Sequence, residues 1–349
     1  MARKLLWASL ALAPITFVVD FAFHPGDVTL FVLAAASLIP LAWLIGESTE
    51  HAAEHTGPGI GGFLNASFGN APELIIAVFA VADGLPNVVR GSLAGSVISN
   101  LLLVLGLAMM VGPSGRPIDR RSLLLQLGLV GTAVLLFLIP TVPGWHGDPD
   151  RHSLAVVTAP VAAALLVLYV VVQTMQLRGF RQAHSESGHQ ERADTWPLRN
   201  SLVALALATA ATAVISEILV HSLNGFAKAA GLSQFFISIV VVAVVGNAAE
   251  HGGAIVIAHR GNMRLATEIA VSSSAQVALF VTPAIALLSW IVTPALPLAF
   301  RWEELGAMGL ATAVVAVVVL DGVSKRWEGV LLTGIYVALV IGFGLAGDR

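Results

Sequence analysis

The sequence predicts an all-α polytopic membrane protein of about eleven transmembrane helices, built largely from two inverted copies of one unit. Three observations carry this reading. Of 349 residues, 57% are apolar and 11% charged, with a mean hydropathy of +0.86, whereas a soluble domain is about one quarter charged. Apolar runs long enough to cross the bilayer recur along the chain. A short polar motif, Gly-Asn-Ala-x-Glu, occurs once in each half, in the middle of such a run.

A span needs roughly 20 mostly apolar residues to cross about 30 Å of hydrocarbon. Runs of that kind lie near Leu5 to Phe23, Val28 to Glu47, Ile60 to Val81, Val88 to Val111, Ser122 to Ile139 and Leu154 to Met175 in the first half. In the second half they lie near Leu202 to Ser222, Phe235 to His259, Leu265 to Val292, Leu305 to Leu320 and Gly329 to Ala346. Strands of a membrane barrel would be about ten residues long and alternate in polarity; these runs do neither. The first run follows Arg3 and Lys4 but is long and has no small-residue cleavage site, so it reads as a retained helix.

Placing the amino terminus in the cytoplasm puts 13 of the 18 basic residues on that side, among them Arg116, Arg120, Arg121, Arg260, Arg264, Lys325 and Arg326. Only Arg90, Arg151, Lys228, Arg301 and Arg349 face the other side. The near balance of 18 basic and 21 acidic residues leaves no basic face for nucleic acid. The lipid bilayer is the expected surrounding partner, in a prokaryotic inner or plasma membrane, and no prosthetic cofactor is expected.

Comparing the halves aligns Phe68-Gly69-Asn70-Ala71-Pro72-Glu73 with Val245-Gly246-Asn247-Ala248-Ala249-Glu250. Thr49-Glu50 aligns with Ser216-Glu217, and Ser96-Val97-Ile98-Ser99-Asn100 with Ser272-Ser273-Ser274-Ala275-Gln276. The two motifs fall in the third and eighth spans. An offset of five spans makes the copies run in opposite directions, an architecture whose substrate site lies near the midplane where the copies meet.

A carboxylate in the middle of a span costs about 2.5 to 3.5 kcal/mol on insertion scales, which marks Glu73 and Glu250 as functional. Cysteine is absent, so a metal must be met by carboxylates, amides, carbonyls or imidazoles, a donor set for hard cations. Calcium takes six to eight such oxygens in flexible geometry. Asn70 and Asn247, three residues before each glutamate, share its helical face. Gly69 and Gly246, with Pro72, are points where the helix breaks and carbonyls turn inward. Two ionised carboxylates in a dry site repel, so a divalent cation or protons must neutralise them, and the two compete.

Ser99, Asn100, Ser273 and Gln276 form the polar runs that follow each motif. Glu47, Glu50 and Glu54, with His51 and His55, sit near the cytoplasmic edge, with Glu217 as the counterpart of Glu50; they relay protons or attract cations. His251, next to Glu250, is a further proton acceptor. A cation channel using the same carboxylates, and an intramembrane metalloenzyme using His251 and His259, are the competing readings. The internal duplication argues against a pore gathered from subunits, and the His-Glu-x-x-His spacing of zinc enzymes is missing.

At these residues the chain resembles the calcium/proton antiporter family within the wider calcium/cation antiporter superfamily. Gly61 to Ile75 resembles its first signature and Gly246-Asn247-Ala248-Ala249-Glu250-His251 its second. The resemblance implies a separate amino-terminal helix (residues 1–25) and two inverted five-helix repeats (26–177 and 201–349) joined by a cytoplasmic linker (178–200). It also implies Ca2+ as transported substrate, Glu73 and Glu250 as central cation ligands, and Glu50, Glu217, His251 and Gln276 as accessory residues. The acidic helix common between the family's halves is replaced here by a mixed-charge stretch. Sodium/calcium exchangers of the superfamily carry a Gly-Thr-Ser type signature that this chain lacks, so the resemblance implies protons rather than sodium as the counter-ion.

Overall fold

The computed structural model describes residues 2–184, 196–292 and 294–347. Apolar sequence in a medium without water leaves backbone donors and acceptors only each other as partners, and the chain answers with helices. The first span is two pieces, α1 (Ala2–Ser9) and α2 (Leu12–Phe23), followed by α3 (Asp27–Phe68). After a break at Gly69 and Asn70 come α4 (Ala71–Ala82) and α5 (Pro86–Ile98). A π-helical turn over Ser99–Val104 then leads into α6 (Leu105–Val111). Strand β1 (Arg116–Pro117), α7 (Arg120–Gly144) and α8 (His152–His184) complete the first half.

The second half opens with α9 (Leu198–Ala230) and α10 (Gln234–Phe236), a π-helical segment over Ile237–Val242, α11 (Ala243–Gly246) and α12 (Ala248–His259). Next come α13 (Met263–Gln276), a π-helical segment over Val277–Val281, α14 (Thr282–Val292), α15 (Trp302–Val318), strand β2 (Val323–Ser324) and α16 (Arg326–Ala346).

Among the described residues nine helices are long and apolar enough to cross a bilayer, and the bent pair Gln234–Gly246 and Ala248–His259, angled by 60°, makes a tenth. The expected eleventh, Ile60 to Val81, is not one continuous helix. Its first part continues α3 as far as Phe68, Asn70 leaves the helical conformation at φ −100° and ψ 15°, and α4 has 12 residues, too few to cross alone. Pro72 stands in the first turn of α4, where its missing N–H costs nothing, while the same residue cannot extend the helix before it. Helix α8 runs past the expected end at Met175 to His184, and of the linker expected over 178–200 residues 185–195 lie outside the described residues.

Two ends of the bundle are recognisable from cross-chain contacts. At one, β1 pairs antiparallel with β2, Arg116 opposite Ser324. There Asp119 caps α7 by accepting from the Ser122 N–H at 3.2 Å and meets Arg264 at 2.6 Å. The Ser122 hydrogen bond and then Arg264 hold the Asp119 carboxyl below the usual range. Trp196, just before α9, stacks on His51 and packs near Trp7 of α1, which places the amino terminus on the side of the α8–α9 connection. At the other end the fully buried Arg90 of α5 binds Asp150 at 2.7 Å, the Pro297 carbonyl at 3.2 Å and Asn87 at 2.7 Å. Arg301 donates there to the Gly347 carbonyl near the carboxyl terminus. The loops expected on one side of the membrane thus meet one another.

The halves cross where small residues permit it. A Cβ on Gly95 of α5 would be driven into the Ile239 carbonyl and to 2.7 Å from the Ala243 Cβ. Gly106 of α6 and Gly329 of α16 abut in the same way, as small residues commonly do between membrane helices. Gly95→Ala should therefore lower the thermal stability of the detergent-purified protein by about 1–3 kcal/mol. Gly128→Ala, where nothing lies within 4 Å of the added Cβ, should leave it unchanged; equal melting temperatures for the two variants would contradict this packing.

Candidate functional site

The two breaks in the helices meet at the centre of the molecule. Asn70 caps α4 and Asn247 caps α12, with near-identical backbone angles of φ −100°, ψ 15° and φ −97°, ψ 7°. Each opens a helix whose first turn carries the motif glutamate, Glu73 or Glu250. A helix amino terminus exposes unpaired N–H groups and a positive dipole end that favour an acidic side chain there. The same sequence pattern thus builds the same local structure twice, in opposite directions.

Contacts between the halves join the two copies. Asn70 Nδ2 donates to Gln276 Oε1 at 2.8 Å. Asn247 Nδ2 donates to Ser96 Oγ at 2.8 Å and to the Ala243 carbonyl at 2.8 Å. Asn100 Nδ2 donates to Ser273 Oγ at 3.0 Å, and Ser273 Oγ donates in turn to Glu250 Oε2. Glu73 lies against Gly246: a Cβ at that glycine would sit 3.5 Å from Glu73 Cγ. Glu73 and Glu250 are within electrostatic reach of each other.

The free valences of this cluster are oxygens. With amide hydrogens committed across the interface, Asn100 Oδ1 and Asn247 Oδ1 are buried and meet no hydrogen-bond donor among the described residues, and neither does Glu73 Oε2. A buried acceptor without a donor is costly unless something else fills it. Carboxylate and amide oxygens gathered in this way suit a hard cation. No three His, Cys, Asp or Glu residues stand close enough together to hold a metal ion by themselves among the described residues, so the donor set here is two carboxylates with amides.

The two acids are not equivalent. Glu250 accepts from Ser273, whereas the aligned position in the first half is Val97, which has no hydroxyl to offer. Glu73 is buried and Glu250 half-buried. His251 is buried beside Glu250, and its Nε2 meets no partner among the described residues.

Of the other residues singled out by sequence, Ser99 is buried and donates to the Ser96 carbonyl of its own helix at 3.2 Å. Glu47, Glu50 and Glu54 are not brought into the centre. They lie toward the Trp196 end, where Glu47 is 3.7 Å from His51 and His55 meets the Trp196 carbonyl at 2.7 Å. Glu217 is exposed and lines a separate cavity of about 330 Å3 with Asp20, Asp27 and His221. Ser96, the acceptor for Asn247, was not among the candidate residues; the alignment of Ser96 with Ser272 was the signal available. Both aligned polar runs pass into π-helical turns, at Ser99–Val104 and Val277–Val281, a geometry frequent at functional sites because it releases backbone carbonyls from the regular ladder.

A profile of the family described as "Sodium/calcium exchanger protein" matches residues 27–178 and 200–344. The chain is 37% identical over 339 residues to the Ca(2+)/H(+) antiporter ChaA of Bacillus subtilis (strain 168), which covers 94% of this chain and 95% of the relative. It is 33% identical over 339 residues to a Ca(2+)/H(+) antiporter of Aphanothece halophytica, covering 92% and 91% respectively. Its fold matches the solved structure of native YfkE with a TM-score of 0.83 at 33% identity, over 97% of this chain and 99% of that one.

Ser96→Ala removes the acceptor that orients Asn247. It should raise the cation concentration giving half-maximal transport by about threefold to tenfold, the worth of one such hydrogen bond. Thr132→Ala, which deletes an exposed hydroxyl bonded only to its own helix, should not. Initial transport rates across a cation series check this, and equal half-saturation in Ser96→Ala and the unmodified chain would contradict the arrangement.

Proposed function

The chain belongs to the sodium/calcium exchanger protein family, and we propose that it exchanges Ca2+, or a similar divalent cation, for protons across the membrane, Glu73 and Glu250 holding either the cation or protons. The observation that carries this reading is the contact between the halves at the centre, where Glu73 of one copy rests on Gly246 of the other within electrostatic reach of Glu250. Two acids so placed repel when both are ionised and empty. A divalent cation removes the repulsion by supplying two positive charges, and protons remove it by discharging the acids.

Competition for one site is itself a coupling mechanism. Protons arriving from one side expel the cation, and cation arriving from the other side expels protons, so neither crosses without the other. Asn70, Asn247 and backbone carbonyls freed near Gly69 and Gly246 add oxygens around the ion. Gln276 holds the Asn70 amide and Ser96 the Asn247 amide, Ser99 stays bonded within its own helix, and Asn100 and Ser273 form a chain that steadies Glu250. His251 accepts a proton beside Glu250. At the two mouths, Glu50, with Glu47 and Glu54, and Glu217 raise the local concentration of cations.

Protons rather than sodium are the counter-ion in this reading. Relatives that match over more than nine tenths of their own length carry the name Ca(2+)/H(+) antiporter, and both repeats read Gly-Asn-Ala rather than Gly-Thr-Ser. The protein is a multi-pass integral membrane transporter and not an enzyme. Its amino terminus and the basic loops around Arg116, Arg264 and Lys325 lie in the cytoplasm, as the distribution of positive charge favours.

Everted membrane vesicles carrying the protein should accumulate calcium when a pH gradient, acid inside, is imposed. Glu73→Gln and Glu250→Gln should each reduce that uptake by about 100-fold or more, at least the loss seen when a residue supporting a metal ligand is removed. Lowering pH on the side where calcium loads should weaken its apparent affinity and raising pH should strengthen it, because protons fill the same carboxylates. Normal uptake in Glu73→Gln would contradict the ligand assignment, and calcium flux that never runs against its gradient would favour a channel.

A further inference from the structure

A second polar feature lies beside the central site, between α7, α8 and α13. A cavity of about 70 Å3 is lined there by Gln126 of α7, Tyr169 and Gln173 of α8, and Ser272 and Gln276 of α13. Each helix contributes its polar groups one turn apart: Ser122 and Gln126, Tyr169 and Gln173, and the longer stripe Glu268, Ser272 and Gln276. That i, i+4, i+8 spacing puts the α13 groups on one face, reaching roughly 12 Å along the helix from Glu268 to Gln276. Polar groups at membrane depth are expensive and mark pathways.

The cavity touches the site at one wall through Gln276, and at another its Gln126 holds a carboxylate, Glu268, that lies outside the lining. Gln276 holds Asn70 through its Oε1. Gln126 is buried, donates to Glu268 Oε2 at 2.7 Å and to Ser122 Oγ at 3.1 Å, and leaves its Oε1 without a donor. Gln173 donates to the Tyr169 hydroxyl at 3.1 Å. The space holds a few waters, each needing two to four polar partners of the kind these amides and hydroxyls supply. With one carboxylate on its edge, it lacks the oxygens a divalent cation needs in exchange for its hydration shell.

We propose that this seam is a water-filled side passage for protons, distinct from the cation's route, with Glu268 as the carboxylate at its mouth. The proposal rests on the antiport reading above. A proton leaves the Glu268 carboxyl for a water accepted by Gln126 Oε1, and each water passes one proton on as it receives another. The last transfer discharges one of the paired glutamates, while Gln276 and Ser272 orient the chain of waters. The mouth lies on the basic side of the bundle. The charged and titratable groups on the elements packed against this end of α13 include Arg264, one turn before Glu268 and held by Asp119, Arg116 of the β1–β2 hairpin, Arg120 and Arg121 at the start of α7, and His259 and Arg260 at the α12–α13 turn, with Tyr169 lining the cavity.

Two fluxes of radioactive calcium, measured on the full chain in proteoliposomes, separate the passage from the cation site: uptake driven by a pH gradient, and calcium–calcium exchange at equal pH, which moves no net protons. Glu268→Gln and Gln126→Leu should each lower gradient-driven uptake by about tenfold, a modest share of what a positioned proton-transfer group supplies. Glu268→Asp should restore most of that uptake. Calcium–calcium exchange should stay within about twofold in all three, the usual range for substitutions away from critical contacts. Unchanged gradient-driven uptake in both Glu268→Gln and Gln126→Leu, or an equal loss of both fluxes, would overturn the passage while leaving antiport intact. Absence of gradient-driven uptake in the unmodified chain would instead overturn the antiport reading.

Discussion

The structure is organised around two carboxylates, Glu73 and Glu250, that two helix breaks bring within electrostatic reach of each other where water is scarce. An isolated charge at that depth is costly, and a second of the same sign beside it is worse. Among the described residues Glu73 Oε2 has no hydrogen-bond donor, and Glu73 lies against Gly246, a residue with no side chain to offer. Asn247 and Asn100 spend amide hydrogens on the hydroxyls of Ser96 and Ser273, and among the described residues no donor meets their oxygens. On the antiport reading, such a site is satisfied by a species that comes from outside and can leave again, which is what a transporter needs and a structural metal site avoids.

The rest of the architecture serves that arrangement. The helix breaks before α4 and α12 place each glutamate in a first helical turn, and the opposite direction of the two copies brings those turns together from both sides. Glycines at 95, 106 and 329 allow the backbones to approach closely enough for short amide side chains to reach across. The terminal contacts at Arg90 and at the β1–β2 hairpin tie the loops of the two halves into two plates, one on each face. Between these plates the two helix breaks meet through amides and hydroxyls, Asn70 with Gln276 and Asn247 with Ser96, amid closely packed apolar helices.

Much of this was legible in the sequence because duplication turns weak signals into strong ones. A single Gly-Asn-Ala-x-Glu means little; two copies at an odd number of spans apart fix an inverted relation and a central site before any coordinates. The count of helices was less legible. The third apolar run, Ile60 to Val81, has the length of a span, yet its own Gly69, Asn70 and Pro72 divide it, so hydropathy counted one helix where the backbone makes the end of one and a short second. Repeat symmetry also misled at the level of partners. It would pair Asn247 with Asn100, as Asn70 pairs with Gln276, but Asn247 reaches Ser96 and Asn100 reaches Ser273. Gln126 and Glu268 escaped because neither lies in the repeated segments, and their link depends on α7 and α13 being neighbours. A periodic stripe at 268, 272 and 276 was the only trace of it in one dimension.

The central claim is that calcium and protons occupy the same two carboxylates in turn, and the proton count on binding tests it most directly. Calcium added to the purified chain in weakly buffered solution, at a pH low enough for both acids to be protonated, should release about two protons for each ion bound, a yield that falls as the starting pH rises. Calcium binding that releases no protons at any pH would show that the two ions do not share a site, and would contradict the account.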